Sequence, residues 1–497
     1  MHDVPHFVTY LFAGLLVAMI LCLALEEKIH AKKSVIVGGF AVITLLLAAM
    51  FGLVHPDTVK ILGHPITFPV YILGVDWEVI AIILGSSLFV DLTSKCGLFT
   101  WIAIKLTKAS AGDPLRLLIY YGVMTVVFSA VLNNVTAMII VGTLSAVSLR
   151  KLRITNKLLG FLLVEGLLTN VGGLLTLISS VPNIIIGNAA GISFVDFFIK
   201  ASPYVVVATA ITIYVGARVF GIRKLKGDQA KAEAVQLVAG FDENDGIEST
   251  GFFKFGTLMT GLFIVVMASV SVTPYIKELG MGYVALSFAL IMMIRFKSTV
   301  DRFYQALDWD LLAFFGCLFI VINMMEHALV LELIGNGLKP IIGMGELFGT
   351  GVLLVASALA SSVTDNIPLA AVLAKVLGGF QESFANGDAS YKWFGEYGHL
   401  LWWSLIFGAG LGGNLTPIGS ASTVVAISIL KRDGHNVSFM QYVKIGAIVV
   451  LVQLVLATGY LFAADKVGLI PKKTNTEQTH GRDNNATDEN SSDHNGH

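Results

Sequence analysis

Two short polar stretches interrupt long apolar runs and carry groups able to bind an ion. Asn133-Asn134-Val135-Thr136 and Thr364-Asp365-Asn366-Ile367-Pro368 stand 232 residues apart. Asn, Asp and Thr disfavour helix interiors and supply side-chain oxygens. Pro368 breaks the local hydrogen bonding and frees backbone carbonyls. Together they suit a hard cation such as Na⁺, with Asn134, Thr136, Asp365 and Asn366 as its ligands. A turn needed only for topology would also favour Asn and Pro; the recurrence between apolar arms favours the functional reading.

A second pair of interruptions lies further on in each half. Thr169-Asn170-Val171-Gly172-Gly173 leads to Ser179-Ser180-Val181-Pro182-Asn183, and Gly410-Leu411-Gly412-Gly413-Asn414 leads through Thr416 to Pro417-Ile418-Gly419-Ser420 and Ser422. Glycines and hydroxyls at this density unwind a helix. The half-helices that begin after Pro182 and Ser420 would present free N–H groups, which suit an anion or a carbonyl oxygen. Close packing through small residues is the simpler alternative.

Ionisable side chains inside apolar segments are costly and mark functional candidates. Asp365, at a turn, and Glu165, in Phe161-Leu162-Leu163-Val164-Glu165-Gly166, are the candidates for coupling to protons. Asp91 and Lys95 are spaced i,i+4 and read as a structural ion pair. Glu326 and His327 read as interfacial, and Lys375 as a snorkelling or charge-neutralising cation. Cys22, Cys96 and Cys317 lie far apart without metal-type spacing and read as small buried hydrophobes. The chain lacks Gly-x-Gly-Asp, Gly-x-Ser-Gly, His-Glu-x-x-His and Walker-type motifs, which argues against an intramembrane enzyme and against ATP as energy source. A net charge of −1 gives no reason to expect a nucleic-acid partner.

The elements that must position these groups are membrane spans. The 497 residues are 55% hydrophobic and 13% charged, with a mean hydropathy of +0.78; soluble domains carry roughly 25% charge. Apolar runs close to the roughly 20 residues that cross a bilayer recur along the chain, the cleanest covering 7–25, 35–54, 204–220, 255–272 and 445–464. The first of them lacks the basic start and cleavage site of a signal peptide. The sequence divides into N-terminal helices (1–70), a first repeat (71–220), a polar linker (221–254), a second repeat (255–445), a last helix (446–471) and a polar tail (472–497). The tail holds His480, His494 and His497, and its composition predicts disorder.

Four landmarks recur in order, which predicts an internal duplication. Asp76-Trp77 answers to Asp308-Trp309, Asn133-Asn134 to Asp365-Asn366, Gly172-Gly173 to Gly412-Gly413, and Ser193-Phe194 to Ser438-Phe439. Loop charge predicts that the halves face opposite ways. The loops at 26–33, 105–116, 150–157, 218–254, 295–308 and 431–444 hold 22 of the 33 Lys and Arg residues, which marks them as cytoplasmic. Both flanks of each Asn-bearing turn fall on one side, so each turn should tip a re-entrant hairpin. Both termini are then expected outside.

These segments resemble the ArsB/NhaD branch of the ion transporter superfamily. The quoted stretches carry the likeness: Phe128 to Thr136, Thr169 to Gly173 with Pro182-Asn183, Ser361 to Pro368, and Gly412 to Ser420. The melanosomal P protein and citrate-transporter-like permeases are similar too. The resemblance covers roughly 75–445. It implies an all-α polytopic fold of two inverted repeats, each with a re-entrant hairpin and a broken helix, arranged as a scaffold plus a mobile, elevator-type transport region. It also implies a homodimer in a bacterial inner (plasma) membrane, with Na⁺ or H⁺ as coupling ion, no other cofactor, and a small ion or anion as substrate. Two departures from many relatives each remove a carboxylate: Leu132-Asn133-Asn134 stands where they show Leu-Asp-Asn, and Ser179-Ser180-Val181-Pro182-Asn183 where they show Gly-Asp-Pro-Pro-Asn. Na⁺/H⁺ antiport is expected slightly ahead of coupled transport of arsenite, antimonite or a carboxylate. A passive channel is a distant alternative.

Overall fold

In the computed structural model the described residues are 4–54, 57–61, 64–296 and 307–470. The polar tail and its three histidines lie outside them. The described chain is helical apart from one antiparallel strand pair, Asp57–Ile61 with His64–Phe68. Among the described residues, ten helices are long and apolar enough to cross a membrane.

After α1 (His6–Ala24) and α2 (Lys33–Met50) comes a series of seven helices: α3 (Trp77–Ser94), α4 (Leu98–Ala109), α5 (Pro114–Val131), α6 (Asn134–Lys151), α7 (Leu158–Gly172), α8 (Val181–Ala189) and α9 (Phe194–Val219). The linker contributes α10 (Asp228–Ala239), and α11 (Thr250–Ser269) and α12 (Ile276–Arg295) follow it. A second series of seven then matches the first in order: α13 (Trp309–His327), α14 (Val330–Ile342), α15 (Glu346–Val363), α16 (Asn366–Ala385), α17 (Lys392–Gly412), α18 (Ala421–Arg432) and α19 (Phe439–Lys466).

Three of the four sequence landmarks are helix N-caps. A side-chain oxygen there satisfies an N–H that the first turn would otherwise leave free. Asp76 and Asp308 accept from Val79 and Leu311, Asn133 and Asp365 from Thr136 and Ile367, and Ser193 and Ser438 from Asp196 and Gln441. The hairpin turns are two extended residues long, Leu132-Asn133 and Thr364-Asp365. The fourth landmark is a close approach of backbones. A Cβ on Gly172 would lie 2.6 Å from the Val126 carbonyl oxygen, and one on Gly412 would lie 2.2 Å from that of Ala358. Only glycine lets each broken helix pack so tightly on its hairpin.

The cation-rich loops touch one another. Arg150 pairs with Asp433, Lys157 donates to the Gly221 carbonyl at 3.0 Å, and Glu243 accepts from Lys105 and Lys108 at 3.0 and 3.2 Å. Hydrogen bonds from these two lysines hold the Glu243 carboxyl below the usual range. The clamp is therefore complete above the ordinary glutamate pKa and is lost as pH falls through the lowered one. Of the cysteines only Cys96 is buried; Cys22 and Cys317 are half-buried, so the expectation of three buried thiols holds for one. Asp91 and Lys95 form the expected pair at 2.6 Å, and Lys375 meets Glu326 at 3.0 Å.

The glycine packing predicts opposite outcomes for one chemical change. Gly412→Ala should destabilise by about 1–3 kcal/mol through overpacking. Gly261→Ala and Gly459→Ala, where a Cβ meets nothing within 4 Å, should be neutral or gain about 0.5–1 kcal/mol from helix propensity. Thermal unfolding in detergent checks the contrast, and equal shifts at all three positions would refute it.

Candidate functional site

Breaking a helix inside a bilayer frees carbonyls that must find donors within the protein. Hydroxyls on the hairpins and in the breaks supply them, at corresponding places in each half. Ser129 Oγ lies 2.7 Å from the Thr169 carbonyl, and Ser361 Oγ lies 2.7 Å from that of Ala409. Thr176 Oγ1 donates to the Ala130 carbonyl at 2.6 Å, and Thr416 Oγ1 donates to that of Ser362 at 2.5 Å. These four contacts lock each break onto the end of its own hairpin.

Between the breaks lies a cluster of neutral amides and hydroxyls. Asn134 Oδ1 is 2.6 Å from Ser129 Oγ, and its Nδ2 reaches Asn170 Oδ1 at 3.4 Å. Asn170 Nδ2 donates to Asn414 Oδ1 at 2.8 Å, across the two halves. Asn414 Nδ2 donates to the Leu167 carbonyl at 3.2 Å and to Gln453 Oε1 at 3.1 Å, and Gln453 donates to Thr212 at 3.1 Å. Ser420 Oγ donates to Asn170 Oδ1 at 2.9 Å, while Ser422 Oγ lies 2.8 Å from both Ser420 and Thr169. Amide oxygens here can replace part of a cation's water shell, and the same amides can turn N–H groups toward an anion.

The remaining residues singled out in the sequence serve differently. Ser179 Oγ and Asn183 Nδ2 both reach the Gly173 carbonyl at 2.6 Å, so they tie the first break together. Asn183 Oδ1 stays buried without a hydrogen-bond partner among the described residues. Ser180 and Ser420 precede α8 and α18 without a side-chain capping bond, leaving the first-turn N–H groups uncapped by them. Asn133 is exposed, Thr136 and Asn366 are half-buried, and Thr364 bonds back to the Ala360 carbonyl at 2.7 Å.

The two carboxyl candidates stand apart from the amide cluster and from each other. Asp365 Oδ2 accepts from Lys33 Nζ at 2.6 Å, joining the tip of the second hairpin to the start of α2. Glu165 is fully buried on α7. Its Oε1 accepts from Ser145 Oγ of α6 at 2.5 Å, and its Oε2 is buried without a partner among the described residues. Asn134 and Asp365 thus bond to different neighbours, and the two breaks are joined to each other by Asn170 with Asn414 and Ser420 and by Thr169 with Ser422.

Asn170, Gln453 and Lys33 join the site although residue type and spacing alone do not assign them to it. Asn170 is quoted in the broken segment, and Gln453 is an amide within the apolar run 445–464; an isolated amide in a span is the signal that finds both. Lys33 reads as an ordinary loop cation, since its partner lies 332 residues away.

The family model for the citrate transporter (CitMHS) matches residues 20–394. A 46 kDa membrane protein of Mycobacterium leprae is 30% identical over 84% of this chain and 93% of its own length. An uncharacterized transporter of Synechocystis is 25% identical over 91% of this chain and 96% of its own. The human P protein is 24% identical over 89% of this chain and 61% of its own. Among solved structures, Neisseria gonorrhoeae MtrF, described as illuminating a class of antimetabolite efflux pumps, superposes with a TM-score of 0.52 at 13% identity, covering 87% of this chain and 94% of that one. That likeness concerns the fold.

The amide bridge between the halves predicts energetic coupling. Membrane hydrogen bonds of this kind contribute about 0.6 kcal/mol, up to about 1.7. In a double-mutant cycle, Asn170→Ala with Asn414→Ala should therefore cost less than the two single changes summed, by about that amount. Strict additivity in thermal unfolding would show that the bridge contributes nothing.

Proposed function

The chain belongs to the citrate transporter (CitMHS) family, and from that premise we propose that it is a secondary active carrier exchanging Na⁺ for H⁺. The observation that carries the proton half is Glu165, a carboxyl buried among apolar helices with one oxygen unpartnered among the described residues. Burying an unpaired charge is expensive, so a group in this setting is suited to taking up and releasing a proton as the protein changes state. For the cation, Asp365 is a carboxylate at a hairpin tip already occupied by a positive group, Lys33 Nζ. Na⁺ would take that place, with Asn134, Thr136 and Asn366 contributing oxygens as the second hairpin approaches the first. The seven-helix series would be inverted repeats, and the hairpins with the broken helices would form a transport region moving as an elevator against the other helices. We place the carrier as a homodimer in a bacterial inner membrane, cation-rich loops inside and both termini outside.

A second activity is favoured by a separate feature, the uncapped half-helices after Ser180 and Ser420. Helix N-termini attract anions, and with Ser420 and Ser422 beside the second of them they would bind a carboxylate or oxyanion carried with Na⁺ or H⁺. The family's description as citrate transporters leans the same way.

One assay separates the two. In proteoliposomes holding a pH dye, Na⁺ or Li⁺ should drive proton movement in the native protein. Asp365→Asn should abolish it by at least about tenfold, and Glu165→Gln should leave cation binding but remove the pH response. Undiminished exchange by both variants, each still eluting as folded protein, would reject the assignment. A response to citrate or arsenite with none to Na⁺ or Li⁺ alone would instead establish the anion carrier.

A further inference from the structure

A large cavity lies away from the amide cluster, against the outer faces of α5 and α9. Its volume is about 1010 Å³. Its walls are aliphatic, with Val123 of α5 facing Val206 and Ala210 of α9, and it runs from the first break at Leu175 to the chain just beyond α9. Val123 and Val206 are 47% and 67% exposed, so the slot opens on the apolar surface that a membrane-spanning protein turns toward lipid. One end differs. Arg218, Arg223 and Lys224 line it, all exposed and at the edge of a cation-rich loop.

These three cations form no ion pair among the described residues, whereas Lys105, Lys108 and Arg150 nearby in the same group of loops do. Arg218 rests on the ring of Tyr214, 4.9 Å from its centre. The adjacent carboxylate, Asp113, is engaged by backbone N–H groups. One oxygen accepts from Leu115 and Arg116, and the other from Leu225 at 2.9 Å. The last bond holds the chain after α9 against the start of α5, and so fixes Arg223 and Lys224 at the mouth of the slot.

An apolar slot ending in unpaired cations at the membrane surface matches one chemistry, an acyl chain joined to an anionic phosphate. We propose that this cavity is a binding site for an anionic phospholipid, with the phosphate held by Arg218, Arg223 and Lys224 and an acyl chain lying between α5 and α9. Basic pockets between spans on the cation-rich side recognise such headgroups, with about 1 kcal/mol from each cation. The site is independent of which substrate the protein carries. Because α5 is the first arm of the hairpin tipped by Asn133, an acyl chain there wedges the hairpin against α9.

The experiment uses the full-length protein, purified and delipidated in detergent. Phosphatidylglycerol and phosphatidylcholine with identical acyl chains are titrated in turn, with bound lipid counted by native mass spectrometry and unfolding followed by heating. Phosphatidylglycerol should be retained and should raise the unfolding temperature, with phosphatidylcholine weaker by at least about tenfold. Each of Arg218→Gln, Arg223→Gln and Lys224→Gln should lower phosphatidylglycerol affinity about fivefold and leave phosphatidylcholine unchanged. Ala210→Trp, which fills the slot and keeps every cation, should weaken both lipids. Equal binding of the two lipids by the native protein would overturn the proposal, as would full phosphatidylglycerol preference in the triple glutamine variant. Unchanged binding in Ala210→Trp would overturn the acyl-chain placement.

Discussion

The carbonyls released where α7 gives way to α8 and α17 to α18, and where the hairpin arms α5 and α15 end, govern the architecture around them. In hydrocarbon an unpaired backbone group costs several kcal/mol, so neither break is tolerable unless a donor is brought to it. Ser129 and Ser361 on the hairpin arms reach the Thr169 and Ala409 carbonyls of the broken helices, and Thr176 and Thr416 in the breaks reach the Ala130 and Ser362 carbonyls at the hairpin ends, at 2.5 to 2.7 Å. The donors sit at the ends of the hairpin arms or in the breaks themselves. Each break therefore requires its hairpin, and each hairpin end is positioned by its break. Gly172 and Gly412 follow from the same requirement, because a side chain at either would push the helix beyond hydrogen-bonding reach of the hairpin.

Once the carbonyls are satisfied, the spare polarity of the breaks turns inward. Asn170 and Asn414 meet across the halves at 2.8 Å, and Gln453 fastens Asn414 to the last helix. The hairpins are treated unequally. Asn134 joins its own break through Asn170, whereas Asp365 reaches away from the breaks to Lys33 at the start of α2. Ser34 beside it contacts Asp310 on α13. The second hairpin is thus attached to α2, which in turn meets α13 of the hairpin's own half.

Much of this was legible in the sequence, for identifiable reasons. Asp76, Asn133, Ser193 and their counterparts announce helix starts because capping is local chemistry, settled within three residues. Gly172-Gly173 and Gly412-Gly413 announce the breaks because only glycine admits a backbone so close. Partner choice was hidden. Nothing in the neighbourhood of Lys33 distinguishes it from the other loop cations, and Ser179 and Asn183 look like free ligands until the Gly173 carbonyl is seen to take both. Such assignments depend on distances between residues tens to hundreds of positions apart, which periodicity does not encode.

Charge balance gives the unequal hairpins a meaning under the proposed cation carrier. A transport region that crosses hydrocarbon with a net charge faces a penalty on the order of tens of kcal/mol for an isolated ion. The amide cluster avoids this by being neutral. Asp365 is neutralised in this arrangement by Lys33, which belongs to α2 outside the proposed transport region, so under that proposal the pair holds the cation-free hairpin in place rather than crossing with it. With Na⁺ on Asp365 the tip is neutral again and Lys33 is released to the surface from which it comes, 38% exposed as it already is. An aspartate at residue 133 would place a second carboxylate at the other tip. Asn133 retains the N-cap at Thr136 without the charge. Under that proposal the amide tip at Asn133 limits the charge that the moving hairpins must carry to the single carboxylate of Asp365, neutral only when Na⁺ is bound.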